Sequence, residues 1–197
     1  MAVAEISKLK EFPLPKQLTF AYLTSVRFYA ISEVFATQYG YGDKSVFKEA
    51  IDFVHCSIFT YDNISVTELQ DLLQKIFKNV PGTNQFPNYH GTLAMYSGGI
   101  VYESVNLLKG PDVSKVLIDI SDMAINIIDC YIQERDNMDY EDEYFEEKIL
   151  SDGSMQSELS IQKGIISYLT RIESIEPSDI DTLLELQNNN GRGMFNL

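Results

Sequence analysis

The 197-residue chain has no tryptophan, two cysteines and two histidines, and each scarcity removes a class of chemistry. Cys56 and Cys130 are too few and too far apart for a disulfide framework or a tetrahedral zinc site. Both stand in apolar surroundings, which predicts inert core thiols in a reducing cytoplasm. His55 follows Asp52 at one-turn spacing, but a di-iron bundle repeats its Glu-x-x-His and adds further glutamates. His90 offers no such repeat, so hydrogen-bonded structural histidines are expected and no metal or cofactor is assigned. There is no G-x-S-x-G nucleophile motif, and the GTNQF stretch lacks the Lys and Ser/Thr of a phosphate loop.

Positive charge is scarce as well. Fifteen Lys and Arg stand against 29 Asp and Glu, a net charge of −14. Such a field repels phosphates and anionic lipid, which argues against nucleic-acid and membrane-surface partners. No apolar run approaches the ~18 residues of a membrane span, and the opening MAVAEISKLKEF lacks the apolar core of a secretory leader. A cytoplasmic protein is the expectation.

An ordinary apolar content of 45%, with 11 Phe and 12 Tyr, is enough for a sizeable core. No Pro/Gly/Ser-rich linker divides the chain, so one domain over residues 1–197 is expected. The apolar residues recur with helical period. Pro15 suits a first helical turn, and that helix runs to about Tyr39, with Gly40 as its left-handed stop. Asp43 caps a second helix with Val46, Phe47, Ala50, Ile51, Val54 and Ile58 inward. Ser65 and Glu68 have capping-box spacing before a third helix that ends ahead of Pro81-Gly82. A fourth, about 88–109, carries Gly98-Gly99, which predicts either a close approach or a kink. Gly110-Pro111-Asp112 opens a fifth helix through Tyr131; Asp152-Gly153-Ser154 opens another, and Pro177-Ser178 the last, with the tail MFNL expected to dock on the body. The fold class is all-α, a single bundle-like domain of six or seven helices.

The stretch TFAYLTSVRFYAISEVFATQYGYGD, with Thr19-Phe20, Arg27, Phe35 and an aromatic between two glycines before Asp43, resembles the bacterial domain-of-unknown-function family 416. Glu158 and Gln162 stand in a setting similar to that family's late helix. Where the family carries a Glu before the Arg and a Pro-Asn-Tyr after it, this chain has Val26 and Ala30-Ile31-Ser32. The resemblance implies an all-α fold and brings no activity with it.

Two constellations are candidates for function. Arg27 shares a helical row with Phe20, Leu23, Ile31 and Val34, and Glu103 lies similarly among Leu93, Tyr96, Ile100 and Leu107. A charge on an apolar row needs an opposite partner or an exit to water. Glu103 is the first expected partner of Arg27 and Glu158 the second, either as a structural ion pair or as a polar ligand pocket that includes Tyr96. The second constellation is NMDYEDEYFEEKILSD, residues 137–152, with seven acidic residues and only Lys148 basic. On a helix Asp139, Asp142 and Glu146 would share one face with Glu143 and Glu147 beside it, while Tyr140, Tyr144, Phe145 and Ile149 held the body. It lacks the central Gly of an EF-hand. It is either a solvated face or a docking surface for a basic partner.

The leading functional expectation is therefore a non-enzymatic protein-binding module acting through residues 139–147, in a specific version an immunity- or antitoxin-like protein. The alternative is a small-ligand-binding protein or enzyme with a polar pocket around Arg27 and Glu103.

Overall fold

The computed structural model describes residues 2–110 and 112–191, and the regular structure among them is entirely helical. The α-helices are α1 (Ala2–Leu9), α2 (Leu14–Tyr39), α3 (Lys44–Thr60), α4 (Val66–Asn79), α5 (Tyr89–Asn106), α6 (Val113–Asp136), α7 (Phe145–Ser151), α8 (Gly153–Arg171) and α9 (Pro177–Gly191). That is nine among the described residues rather than six or seven. The two extra are short: α1 precedes the Pro13 and Pro15 punctuation, and α7 occupies only the end of the acidic stretch. The MFNL tail lies outside the described residues.

The boundaries follow from local chemistry. Gly40 closes α2 at φ 61°, its N–H donating to the Ala36 carbonyl. Asp43 caps α3 by accepting from the Ser45 N–H at 2.9 Å. Asn88 does the same for α5 through the Gly91 N–H at 2.8 Å, and Asp152 for α8 through the Ser154 N–H at 2.8 Å. These carboxylate and amide oxygens satisfy N–H groups that a helix start leaves without partners.

Helices α2 and α5 form the central pair, with α3 and α6 beside them and α8 packed on α6. Phe20, Leu23, Phe28, Ile100 and Ile120 are fully enclosed, in one apolar cluster that extends from Ile6 to Leu183. The α2–α5 contact is keyed by two hydroxyl pairs, Ser25 with Ser104 at 2.9 Å and Ser32 with Ser97 at 2.7 Å. Within each helix the serines are seven residues apart, so both pairs lie on one seam. Helix α5 runs unbroken through Gly98-Gly99. A Cβ on Gly98 would lie 2.7 Å from Val80 Cγ2 and 3.3 Å from the Phe47 ring, and one on Gly99 would lie 2.6 Å from Met123 Sδ. The glycines serve close approach.

Candidate functional site

The guanidinium of Arg27 is inside, 8% exposed, against a Glu158 carboxylate that is fully buried. Arg27 Nη2 and Nε donate to Glu158 Oε1 and Oε2 at 2.8 and 3.1 Å, a bidentate fork, and Nη1 donates to Gln187 Oε1 at 3.0 Å. Gln162 Nε2 donates to Glu158 Oε1 at 2.8 Å, and Ser121 Oγ donates to Gln162 Oε1 at 2.7 Å. One chain of hydrogen bonds thus ties α2, α6, α8 and α9. No buried side-chain N or O among the described residues lacks a partner, so the network is closed on itself and leaves no group aimed at a ligand.

Glu103, expected first as the partner of Arg27, lies elsewhere. It projects from α5 towards α6 and accepts from Asn106 Nδ2 at 2.9 Å. Half-exposed, it has the exit to water that Arg27 lacks. The expected single pocket is therefore two places: Arg27 and Glu158 in the core, Glu103 and Tyr96 in the lining of a surface groove.

That groove, about 960 Å³, lies between the 80–85 loop, α5 and α6. Its bed is Met95, Tyr96, Gly99, Tyr102 and Met123, and Glu103, Asp119 and Asp122 form one wall. Phe77, 72% exposed, stands at the α4 edge beside Lys78. Lys115 pairs with Asp119, while Asp122 has no cation in contact among the described residues. Burial first, and the neighbouring Asp119 second, push the Asp122 carboxyl above the usual carboxylate range. Tyr96 is raised chiefly by burial, then by Cys130 and Asp129. Tyr89, at the far end of α5, is pushed up to about 12 by burial and then by Glu134. Neither Asp122 nor Met123 was singled out from the sequence. The signal was there as a polar stripe on α6, Asp119, Asp122, Asn126, Asp129, Gln133 and Asp136, at alternating spacings of three and four.

Where the sequence predicts a surface helix or helical turn with its aromatics on the body, the acidic stretch is regular helix only in its second half. Residues 137–144 form turns, with α7 beginning only at Phe145. The carboxylates are what break it: Asp139 accepts from the Glu141 N–H and Asp142 from the Tyr144 N–H, two-residue side-chain turns that compete with helix. Tyr140 and Tyr144 are 76% and 56% exposed, so they do not hold the body; Phe145 and Ile149 do. Asp142 also pairs with Lys148, and Arg135 binds both Asp136 and Asp152. Glu143, Glu146 and Glu147 are exposed.

Cys56 is exposed, contrary to the expected core thiol, on a cleft of about 690 Å³ between α3 and α4. The apolar residues beside it in sequence point to other faces of α3. Cys130 is half-buried, and burial followed by Asp129 pushes its thiol up. His55 stacks on Tyr22 with ring centroids 4.7 Å apart. His90 Nδ1 is 3.2 Å from Tyr39 Oη. Among the described residues no three His, Cys, Asp or Glu converge as a metal site would require, and no helix is long and apolar enough to cross a membrane.

Comparison with known proteins agrees with the helical architecture. The crystal structure of a DUF416 family protein from Shewanella baltica OS155 superposes with a TM-score of 0.80 at 19% identity, covering 94% of each chain. That likeness is one of fold. No curated protein matches the chain. The family model described as protein of unknown function (DUF416) matches residues 5–196, and the chain belongs to that family.

Proposed function

We propose that this protein acts by binding rather than by catalysis, and that it holds a basic partner protein on its acidic side. The observation that supports this reading best is the groove of about 960 Å³, with an apolar bed of tyrosine, methionine and glycine beneath one carboxylate wall. Flexible thioethers and tyrosines adapt to a partner's apolar side chains, while the carboxylates favour cations and hasten their approach. The field of a chain at −14 acts in the same sense.

The segment 139–147 is the second part of the proposed surface. Its exposed Glu143, Glu146 and Glu147 contribute long-range attraction, whereas Asp139 and Asp142 already serve local turns. An immunity- or antitoxin-like role, in which this acidic side covers the basic cleft of a nuclease, is the specific version of the proposal. A small-ligand reading rests on the groove volume, which is within the range of ligand pockets. It would use Glu103 and Tyr96, with Arg27 and Glu158 as the scaffold behind them.

The test is capture of host proteins by the parent chain and by two variants, E103Q/D119N/D122N in the groove and E143Q/E146Q/E147Q in the segment. The expected result is a basic protein held at low salt, weakened as salt rises, and lost from the groove variant first. A partner retained by both variants at every salt concentration would overturn the proposal.

A further inference from the structure

Fifteen cations stand against 29 carboxylates in this chain, yet one cavity has a charged lining that is cationic throughout its described residues. It lies between α1 and α8, is about 240 Å³ in volume, and is lined by Lys8, Lys163, Ile166, Ser167, Thr170 and Arg171. On α8, Lys163, Ser167 and Arg171 recur at intervals of four, with Ile166 and Thr170 just before the last two, so the five form one face. Helix α1 packs on α8 and is pinned by the buried Ile6 and Leu9, which brings Lys8 to that face. Arg171 is held by its own helix: Nε donates to the Ser167 carbonyl at 3.2 Å, and the guanidinium carbon lies 6.0 Å from the Tyr168 ring centroid. That leaves its two Nη groups for a ligand. Cations in a last helical turn ordinarily serve the carbonyl end, and Lys8 and Arg171 are so placed in α1 and α8. The α8 end is already served by the buried Lys16, whose Nζ donates to the Ile172 carbonyl at 2.6 Å. Lys163 lies two turns before that end, beyond the reach of the helix dipole. Helix ends therefore account neither for Lys163 nor for the meeting of all three cations at one cavity.

We propose that this cavity binds the phosphate group of a small phosphorylated molecule. Charge is the first argument. A phosphate monoester carries about −1.5 to −2 at pH 7, and a chain at −14 repels it everywhere except where cations gather. Donor chemistry is the second. The Arg171 guanidinium fits phosphate oxygens as a fork, Lys8 and Lys163 add point charges, and the Ser167 hydroxyl adds a neutral donor. A phosphate presents three acceptor oxygens to these donors from two helices, where a carboxylate presents two oxygens and one charge. Size is the third. A cavity of about 240 Å³ is below the ~300–1,000 Å³ of pockets for drug-sized ligands, so it takes one phosphate with a short organic remainder against Ile166. The site shares no lining residue with the groove, and it stands or falls separately from the basic-partner reading.

The test follows backbone amide shifts in NMR spectra of the full chain as phenyl phosphate is added, with phenol as the uncharged control and benzoate as the carboxylate control. It is repeated on K8Q/K163Q/R171Q and on K44Q/K48Q/K75Q, which removes as many cations from exposed positions of α3 and α4. Circular dichroism confirms each fold. Phenyl phosphate is expected to cause saturable shifts confined to α1 and α8 with a Kd of about 1 mM or below, to bind at least about tenfold more weakly to the cavity variant, and to be unchanged on the other. Inorganic phosphate is expected to displace it. Equal weakening on the two variants would mean that net charge alone is felt and would overturn the site. Shifts that never saturate, or benzoate binding as tightly as phenyl phosphate, would overturn it as well. Should the cavity variant lose its helical signal, K8Q and R171Q are measured singly, each expected to weaken phenyl phosphate about threefold; parent-like binding by both would overturn the site.

Discussion

Arg27 is where the strongest single-residue consequence lies. Its guanidinium and the Glu158 carboxylate neutralise each other out of contact with water, so removing one leaves the other as an unmatched buried charge. Arg27→Ala is expected to lower unfolding free energy by about 3–5 kcal/mol in urea denaturation; a parent-like midpoint would show the network to be dispensable. Gly91 carries a steric consequence. A Cβ there would lie 2.3 Å from the Phe86 carbonyl oxygen, a backbone atom that cannot swing aside, so Gly91→Ala is expected to cost about 1–3 kcal/mol in the same measurement. The sequence revealed that Arg27 must be inside and paired, because its helical row is apolar. It did not reveal which of two carboxylates faces it, since that depends on how α5 and α8 are rotated about their axes by packing distant in sequence.

The helices show why some elements were legible and others were not. Strong stripes between caps located α2 to α6 well, and Gly40, Asp43 and Asp152 stand at helix ends as expected. The segment 137–144 is turns rather than continuous helix because, although spacing alone favours a shared face, short carboxylates bonding to the N–H two residues on favour turns. Of the groove bed, Tyr96 was named from the sequence beside Glu103, whereas Met95 and Tyr102 were not, because half-buried side chains read as core until the neighbouring helix is known. An acid response belongs to this scale. Lys148 first, and the Tyr144 N–H second, hold the Asp142 carboxyl below its usual range. A folded-state value below the unfolded one means that this pairing contributes above the ordinary aspartate value of about 4 and is lost as pH falls through the lower folded value. Hydrogen exchange between neutral pH and pH ~2.5 is expected to show residues 139–151 opening before α2 and α5. Simultaneous opening of all three would refute a local role for the pair.

For the molecule as a whole, the net charge of −14 predicts self-repulsion that salt relieves. The thermal midpoint is expected to rise between ~0.02 and ~0.3 M sodium chloride, measured by circular dichroism at 222 nm, the helical band; a midpoint that falls would mean that the exposed ion pairs outweigh the repulsion. The Arg27 network has a further consequence, one of time. Arg27 lies 131 residues before Glu158 and 160 before Gln187, so a ribosome must have made α8 and α9 before both partners emerge. Until then α2 carries a guanidinium destined for the interior with nothing to neutralise it, and the long loop it must close slows the final step. Nascent chains ending before α8 therefore keep α2 incompletely docked, and native packing of the first long helix waits on the synthesis of α8 and α9.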